Sequence, residues 1–373
     1  MNRNTFLVSI AVLVIIGALI AIYVNIRAEP VEQISSKWTD SGHADRASES
    51  FVHWDEDEPP VIPTNCAKCH SAYGFLDFVG EDGTAAGVVD NEARTGTVVN
   101  CNVCHNPSAD AMTEVVFPSG ETVTDVEASA SCLQCHQGLQ STDSVRDAIA
   151  GLDDDVVNEE LGFINVHYYV GAATKYGSEV RGGYQYEDRT YAGFYEHTTQ
   201  LQMCTDCHDA HSLEITPDEC SPCHLNVVDY GDIFDIRTNQ TDYDGDGNMT
   251  EGVYDEITTL HDALYVALQE YTASVIGTPI VYSSQSFPYY GIDTDGDGEL
   301  DEGEVSFGNR YATWTPRLVR TAYNYHYVQK DPGAFAHNPE YVVQILYDSL
   351  DDLSQAVSVD MSSYVRPTTG NMQ

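Results

Sequence analysis

Cysteine constrains this chain more than any other residue type. The chain has 373 residues and ten cysteines, and every cysteine belongs to a Cys-x-x-Cys-His motif. The five motifs are Cys66-Ala-Lys-Cys69-His70, Cys101-Asn-Val-Cys104-His105, Cys132-Leu-Gln-Cys135-His136, Cys204-Thr-Asp-Cys207-His208 and Cys220-Ser-Pro-Cys223-His224. Two thiols at this spacing can reach both vinyl groups of one porphyrin, and the next residue places an imidazole under the iron. The pattern predicts five haem c groups, with His70, His105, His136, His208 and His224 as proximal iron ligands.

Two other uses of paired cysteines explain less of the pattern. Zinc binds four thiolates, or two thiolates and two imidazoles, and extracellular proteins join cysteine pairs as disulfides. Neither use explains why a histidine follows every second cysteine. Porphyrin faces can also replace a side-chain core in a segment rich in Gly, Asp, Ser and Thr. We therefore expect residues 29–225 to form a haem-cored, mainly α region with extensive coil and little β structure.

Histidine is in surplus. The chain has 13 histidines, and eight remain after the five motif histidines are set aside. The eight are His43, His53, His167, His197, His211, His261, His326 and His337. This surplus predicts a second imidazole on each iron, which gives low-spin, six-coordinate centres. Methionine is scarce, and we interpret Met112 and Met203 as packing residues.

The chain is strongly acidic. Sixteen Lys and Arg residues face 59 Asp and Glu residues, for a formal net charge of -43. Such a surface repels nucleic acid and anionic lipid headgroups, so no nucleic-acid partner is expected. Salt or divalent cations would screen the repulsion among these carboxylates. We therefore hypothesise that the protein works in a saline or calcium-rich extracellular setting.

An apolar run near the N-terminus is long enough to cross a bilayer as a helix. It extends from Phe6 to Val24 and follows Arg3. We expect residues 1–28 to be a transmembrane anchor, and a cleaved signal peptide is the alternative. Because c-type haem is attached outside the cytoplasm, the rest of the chain should face the periplasm or the extracellular space.

The pattern changes after the last motif. Residues 226–373 should form a helical region that packs on the haem region. Its predicted helices are Glu256 to Ile276, Pro316 to Gln329 and Pro339 to Leu353, and the last two have Thr315 and Asn338 as N-caps. A short hairpin is predicted from Tyr184 to Tyr191.

Two acidic loops in this region resemble calcium-binding loops. The second loop has Asp293, Asp295, Asp297, Glu299 and Glu304 at the positions that supply oxygen ligands. The first loop begins in the same way, with Asp242, Asp244, Asp246 and Asn248. It departs at the twelfth position, Val253, where Asp255 or Glu256 could substitute. One or two calcium ions are therefore predicted, and a solvated acidic turn is the alternative for each loop.

Several segments around the motifs resemble a known group of proteins. They are Ser41-Gly-His43-Ala, Val166-His-Tyr-Tyr169, Gly183-Tyr-Gln-Tyr186, Cys207-His-Asp-Ala-His211 and Phe335-Ala-His-Asn-Pro339. Together with the motifs they resemble polyhaem membrane-associated cytochromes c, and more distantly the nitrite reductase and hydroxylamine oxidoreductase group. The resemblance extends from residue 38 to about residue 350. It implies that His43, His167, His197, His211 and His337 are the distal iron ligands, with His53 and His261 in reserve.

Three functions are compatible with these features. The first is a membrane-anchored electron carrier between a quinol-oxidising membrane donor and extracellular cytochromes or acceptors, with assembly into a homo-oligomer or filament left open. The second is a reductase of a nitrogen or sulfur oxyanion, which needs one iron with an open distal position. The ammonia-forming nitrite reductases of the resembling group use a Cys-x-x-Cys-Lys haem, and this chain has none. The third, a calcium-dependent adhesive module, leaves the five motifs unexplained.

Overall fold

The structure of the protein is a computed structural model, and it describes residues 29–199, 201–370 and 372. The predicted membrane segment at residues 1–28 lies outside the described residues. Within the described part of the chain, no helix is both long enough and apolar enough to cross a membrane.

The described chain is mainly helical with long stretches of coil, as the sequence predicts. The helices are α1 (Val31–Thr39), α2 (Glu49–Val52), α3 (Thr64–His70), α4 (Ala72–Phe78), α5 (Cys101–Cys104), α6 (Pro107–Asp110), α7 (Ala130–Cys135), α8 (Thr142–Ile149), α9 (Gly171–Tyr176), α10 (Pro217–Cys220), α11 (Val253–Tyr271), α12 (Pro316–Gln329), α13 (Ala334–His337) and α14 (Pro339–Ser354). The strands form three separate antiparallel pairs, Val61–Ile62 with Ala93–Arg94, Glu114–Val116 with Thr122–Thr124, and Ile280–Tyr282 with Tyr290–Ile292. No larger sheet occurs among the residues that the structure describes.

The chain divides into two compact units. The first contains the described residues up to Val103 together with His208–Glu214, and the second contains Cys104–Cys207 and the chain from Ile215 onward. The predicted boundary after residue 225 therefore lies inside the second unit. In the first unit, α3 and α4 approach so closely that a Cβ on Gly74 would lie 2.2 Å from the Ala67 carbonyl oxygen, so only glycine fits there.

The second unit has a side-chain core built around α11, α12 and α14. Helix α12 is buried on every side, from Pro316 to Val328. Its start is fixed by sequence, because Pro316 is at the first turn and the Thr315 hydroxyl accepts a hydrogen bond from the Leu318 N–H at 3.2 Å. Such a helix must carry its polar side chains into the interior and satisfy them there.

The three predicted C-terminal helices are confirmed. Helix α12 has the predicted bounds, and α14 ends one residue later than predicted, at Ser354. Asn338 caps α14 by accepting a hydrogen bond from the Tyr341 N–H at 3.1 Å. Helix α11 begins at Val253, three residues before the predicted start, and a wider helical turn continues from it over Thr272–Ile276.

The predicted hairpin from Tyr184 to Tyr191 is wrong. The segment contains a turn but no paired strands. Its backbone groups bond to side chains of the core instead, since Asn324 accepts from the Tyr184 N–H at 2.7 Å and donates to the Tyr184 carbonyl at 3.0 Å. The side-chain amide of Asn324 thus makes the hydrogen bonds that a partner strand would make. The alternating tyrosines of the segment do not indicate that a distant side chain takes this role.

Two buried arginines of α12 join three segments of the second unit. Arg317 is 6% exposed and pairs with Asp155 at 2.7 Å, and Arg320 is 8% exposed and pairs with Asp154 at 2.6 Å. Both guanidinium groups also bind the Asp352 carboxylate of α14. Because charge-assisted bonds to the largely buried Asp352 carboxylate are strong, this network should hold α12 to α14, and the half-exposed Asp154 and Asp155 add weaker links to their segment.

Replacing Arg320 by Met should therefore destabilise the second unit markedly. Arg320→Met removes one of the two guanidinium groups that neutralise the Asp352 carboxylate. We therefore expect the free energy of unfolding to fall by about 2–3 kcal/mol. Denaturant unfolding followed by circular dichroism measures this change. Arg189→Met is the matched control, because Arg189 is 40% exposed while it pairs with Asp351, and its loss should cost less than about 1 kcal/mol. Equal losses in the two variants would contradict the prediction.

Acid should weaken the same network. The Arg320 and Arg317 guanidinium groups hold the pKa values of Asp154 and Asp155, respectively, below the ordinary value for aspartate. Carboxylates with lowered pKa values contribute stability above the unfolded value, about 3.9, and lose it as the pH falls through the lower folded value. The difference in melting temperature between the wild type and Arg320→Met should therefore narrow below about pH 4.

Candidate haem and calcium sites

Each Cys-x-x-Cys-His motif lies on a helical turn. The first motif ends α3, the third ends α7, and the fourth forms the 3-10 turn Cys204–Asp206. The second motif makes α5, and the fifth begins at the last residue of α10. One turn of helix places residues three apart on the same side, so the two thiols of a motif face in one direction.

Three of the motif histidines are oriented by a backbone carbonyl. The Nδ1 atom lies 2.7 Å from the Ser50 oxygen for His70, 3.2 Å from the Tyr169 oxygen for His136, and 3.0 Å from the Leu213 oxygen for His208. A carbonyl can only accept, so each Nδ1 carries the proton. The tautomer this selects leaves Nε2 with the lone pair that an iron ligand needs.

Cysteines of successive motifs lie beside one another in the second unit. Cys132 of the third motif shares a thiol hydrogen bond with Cys204 of the fourth, and this bond raises the pKa of Cys132. Cys104 of the second motif is close enough for its charge to raise the same pKa. Burial raises the pKa of Cys207, and the nearby Cys220 of the fifth motif raises it further. The order of motifs two to five in the sequence is therefore also their order in space.

His197 and His224 form a facing pair at the fifth motif. Their ring centres are 6.0 Å apart, with an angle of 56° between the ring planes. Metal–imidazole bonds of about 2 Å on opposite sides of one metal place the two ring centres about 6 Å apart. The separation of the two ring centres thus matches the distance that one metal between two imidazoles requires. A cleft lies beside the rings and is lined by both histidines, Arg237, Tyr243 and Glu256.

His337 is held by a carboxylate and two glycines. Its Nδ1 lies 2.8 Å from Oδ1 of Asp331, a residue that is 3% exposed. Burial lowers the pKa of His337, but the charge and hydrogen bond of Asp331 outweigh it and raise the pKa. A Cβ on Gly171 or on Gly333 would lie 2.6 Å from the ring, so both glycines are needed for this close approach. The charge of Cys204 also raises the pKa of His337, so the His337 ring lies near the fourth motif.

The structure places the remaining predicted distal ligands and one reserve in four settings. His43 lies in the 3-10 turn Gly42–Ala44. His167 has φ 78° and packs against the Tyr168 ring with centres 4.4 Å apart. The backbone N–H of His211 donates to Asp209 Oδ1 at 3.0 Å. The reserve ligand His53 has its Nδ1 2.7 Å from Glu49 Oε1, and Trp54 contacts both His53 and His70.

Two histidines use ring nitrogens inside the core. His261 is 9% exposed, donates from Nε2 to the Tyr325 carbonyl at 2.9 Å and stacks on the Tyr325 ring. His326 is fully buried and bonds through Nδ1 to the Tyr282 hydroxyl at 2.9 Å and through Nε2 to Asn165 at 3.0 Å. To act as the reserve ligand through Nε2, His261 would therefore have to break its buried hydrogen bond to the Tyr325 carbonyl.

The first acidic loop, Asp242 to Asn248, contains buried carboxylates. Ligand oxygens of Asp242, Asp244 and Glu256 lie within 4.8 Å of one another, and so do those of Asp244, Asp246 and Glu251. Asp244 is 3% exposed, and its Oδ2 has no hydrogen-bond partner. Burial raises the pKa of Asp244 to about 6. The side chain of Asn248 is turned to Thr250 and Glu251, at 2.8 Å and 3.1 Å.

The second acidic loop, Asp293 to Glu304, is more open. Oxygens of Asp293, Asp295 and Asp297 lie within 4.8 Å of one another, but Asp295 and Asp297 are exposed. Glu304 bonds the loop backbone, with Oε1 2.7 Å from the Thr294 N–H and Oε2 3.0 Å from the Asp301 N–H. Glu299 contributes its backbone N–H to Asp297 at 2.8 Å.

Sequence reasoning missed three residues that shape these sites. Asp331 orients His337 through its carboxylate. Lys175 is a cation beside the fourth motif, where the charges of Cys204 and Cys207 act on it. Glu251 joins the first acidic loop from outside the ligand pattern. Asp331 and Glu251 are close to their sites in the sequence too, but neither is at a position of a known ligand pattern, and Lys175 is near its site only in the folded chain.

Known proteins with similar sequences are cytochromes. The chain is 25% identical to the C-type polyheme cytochrome OmcB of Geobacter sulfurreducens over 353 aligned positions, which cover 79% of this chain and 44% of OmcB. It is 24% identical to the C-type polyheme cytochrome OmcC of the same species over 377 positions, which cover 85% of this chain and 46% of OmcC. The chain thus spans less than half the length of these curated relatives. No family model matches it, and no solved structure matches it. The relatives support a multihaem c-type cytochrome with a role in electron transfer as the class of this protein.

Proposed function

We propose that this chain is a membrane-anchored cytochrome with five haem c groups that carries electrons on the outer face of a membrane. Its donor would be a quinol-oxidising membrane protein, and its acceptors would be partner cytochromes or extracellular acceptors. Haem c supplies one-electron chemistry when bound. The chain itself sets the spacing of the attachment sites, the ligands and the solvent exposure.

The row of cysteines carries this proposal. Cys104, Cys132 and Cys204 lie side by side, and Cys207 lies near Cys220, so four successive attachment sites adjoin one another. An enzyme with one catalytic centre needs electron delivery to that centre, whereas a carrier needs every site to have neighbours. Adjacent sites along the whole second unit favour the carrier.

The ligand assignment follows from the ring geometry. We assign His197 as the distal ligand of the fifth motif, because its ring faces His224 at the separation that one metal requires. We assign His337, oriented by Asp331, to a site at the fourth motif or next to it. His43, His167 and His211 remain the proposed ligands of the other sites. His53 stays in reserve: its Nδ1 pairs with Glu49, so Nε2 is the atom that would bind iron. His261 stays the second reserve ligand, since its Nε2 donates to the Tyr325 carbonyl and would have to leave that bond to bind iron.

A reductase of a nitrogen or sulfur oxyanion is the alternative. It needs a centre with one open position and a site that attracts an anion. The net charge of -43 opposes anion entry, and Lys68 lies inside the first motif rather than at a ligand position. Lys175, beside the fourth motif, is the observation that keeps this alternative open.

We also propose that residues 1–28 anchor the chain and that the acidic loops bind calcium. The anchor proposal depends on the apolar run from Phe6 to Val24. A calcium ion in either loop would offset part of the repulsion in so acidic a chain. Mass spectrometry of the protein from its native membrane tests the anchor, because cleavage would remove roughly the first 18 to 28 residues as in other signal peptides.

The oxidised protein should contain only low-spin iron. If every site has two imidazoles, the EPR spectrum at low temperature will lack a high-spin component, and the pyridine haemochrome assay will give five haems per chain. A high-spin component in the wild type, together with turnover of nitrite or a sulfur oxyanion, would overturn the carrier proposal in favour of the reductase.

His197→Ala should convert one site of five to high-spin iron. Loss of this exposed imidazole removes the second ligand of the fifth motif while the other four sites keep theirs, so about one fifth of the low-spin EPR intensity should be lost. Haem content should not change, because the cysteines remain. His261→Asn is the matched control and should leave all the iron low-spin. A low-spin spectrum unchanged by His197→Ala would refute the assignment of His197.

A further inference from the structure

The first acidic loop and helix α11 share a buried set of carboxylates. Glu256, in the first turn of α11, is completely buried and its Oε2 accepts hydrogen bonds from the Tyr243 and Asp244 N–H groups at 2.6 Å and 2.9 Å. In the second acidic loop, Glu304 accepts from the corresponding Thr294 N–H. Glu256 therefore takes the place of the glutamate that the first loop lacks at its twelfth position, Val253.

One oxygen of the Asp244 carboxylate is buried without a hydrogen bond of normal geometry, although the Thr259 side chain also acts on this carboxylate. Asp244 is 3% exposed, its Oδ1 accepts from the Asp246 N–H at 3.2 Å, and its Oδ2 has no hydrogen-bond partner. Glu251 Oε1 is also buried without a partner. Glu256 Oε1 makes no hydrogen bond of normal geometry, but Arg237 lies 2.5 Å away, and we regard it as compensated by that ion pair. Buried carboxylate oxygens without partners are costly unless a cation binds them.

We propose that a calcium ion binds Asp242, Asp244, Asp246 and Glu251, and that it braces the wall of the cleft at the fifth motif. Calcium fits this donor set because it prefers several flexible carboxylate oxygens. Glu251 takes the place of the predicted Asn248, whose side chain is turned to Thr250, while Glu256 fixes the loop backbone and pairs with Arg237. The sequence favours the second loop as the better calcium match, whereas the buried oxygen without a partner lies in the first.

The C-terminal segment closes over the same loop. The Val365 N–H donates to the Tyr243 carbonyl at 2.9 Å, and a Cβ on Gly245 would lie 2.4 Å from Ser363 Cβ. Gly245 also has φ 73°, so glycine is favoured here for two reasons. A cation that fixes the loop would therefore fix residues 363–365 as well.

The loop is joined to the fifth motif through the cleft. Tyr243, Glu256 and Arg237 line the cleft together with His197 and His224. Arg237 ties the wall together by binding the Glu251 and Asn239 carbonyls at 3.1 Å and 3.0 Å as well as Glu256. Loss of the cation would leave a cluster of like charges behind this wall, and their repulsion would loosen the setting of the His197 and His224 rings. The part of the proposal that concerns these rings depends on the proposed haem site of the fifth motif.

Asp244→Asn tests the site in the full-length holoprotein. This change keeps the shape and the Oδ1 acceptor and removes the buried charge. Calcium titration by calorimetry should show one site fewer than in the wild type, or a loss of affinity of at least about tenfold at one site. Asp295→Asn, at the same position of the second acidic loop, is the matched control. It should leave the first site intact.

Hydrogen exchange locates the effect. Calcium should slow amide exchange in peptides covering residues 237–256 and 360–366 in the wild type and in Asp295→Asn, but not in Asp244→Asn. Added NaCl at equal ionic strength should not reproduce this protection, since screening does not need a site. Unchanged calcium stoichiometry and affinity in Asp244→Asn, or equal protection of these peptides in Asp244→Asn and the wild type, would overturn the proposal.

EPR separates this proposal from the haem assignment. Chelation of calcium should shift the low-spin component that His197→Ala removes, and it should not do so in Asp244→Asn. If His197→Ala removes no component, the ligand assignment fails, while the titration and exchange results still decide the calcium site. If chelation leaves that component unchanged, calcium does not brace the cleft, and this part of the proposal is rejected.

Discussion

A histidine that binds a metal almost always has its other ring nitrogen held by a hydrogen bond, which fixes the tautomer and the orientation of the ring. In the described residues this requirement is met by groups that are already fixed. Backbone carbonyls of Ser50, Tyr169 and Leu213 hold three motif histidines, and the buried carboxylate of Asp331 holds His337. The irregular segments that contain these three carbonyls thus orient imidazoles. Coil that would add little to a conventional core is needed here, because it supplies carbonyl oxygens at the places where imidazoles must be oriented.

Charge is distributed in two ways that depend on each other. Among the few cations of this acidic chain, Arg317 and Arg320 are buried and bind Asp154, Asp155 and Asp352, and the partly buried Arg366 binds Asp348 at 2.8 Å. The acidic loops are consequently left with few basic partners, although Arg237 pairs with Glu256. A divalent cation is a compact way to compensate such loops. Arginines thus compensate carboxylates in the core, and the proposed calcium ion would compensate carboxylates in the loops.

The sequence predicts those parts of the molecule that depend on neighbours along the chain. The motifs, helices α12 and α14, and the caps Thr315 and Asn338 are all local, and all are found. The prediction fails where a distant side chain replaces a local partner. Asn324 satisfies Tyr184 in place of a second strand, and Glu256 enters the first acidic loop from the following helix in place of a glutamate at Val253. The distal ligands fall between these cases. Sequence supplies the candidates, but only the facing rings of His197 and His224 suggest which site one of them serves.

The proposed carrier role depends on one property of the second unit: cysteines of motifs two to five that follow one another in the sequence are also neighbours in space. Cys132 contacts Cys204 although 67 residues lie between their motifs, and that intervening chain includes α8 and α9. A protein with one reactive centre needs close spacing only along the sites that deliver electrons to that centre. A row in which each attachment site adjoins the next has no such freedom, since a displaced site would interrupt transfer to all later ones. The hydrogen bonds that set each ring, the glycines beside His337 and the wall of the fifth cleft all restrict movement in the way such a row requires.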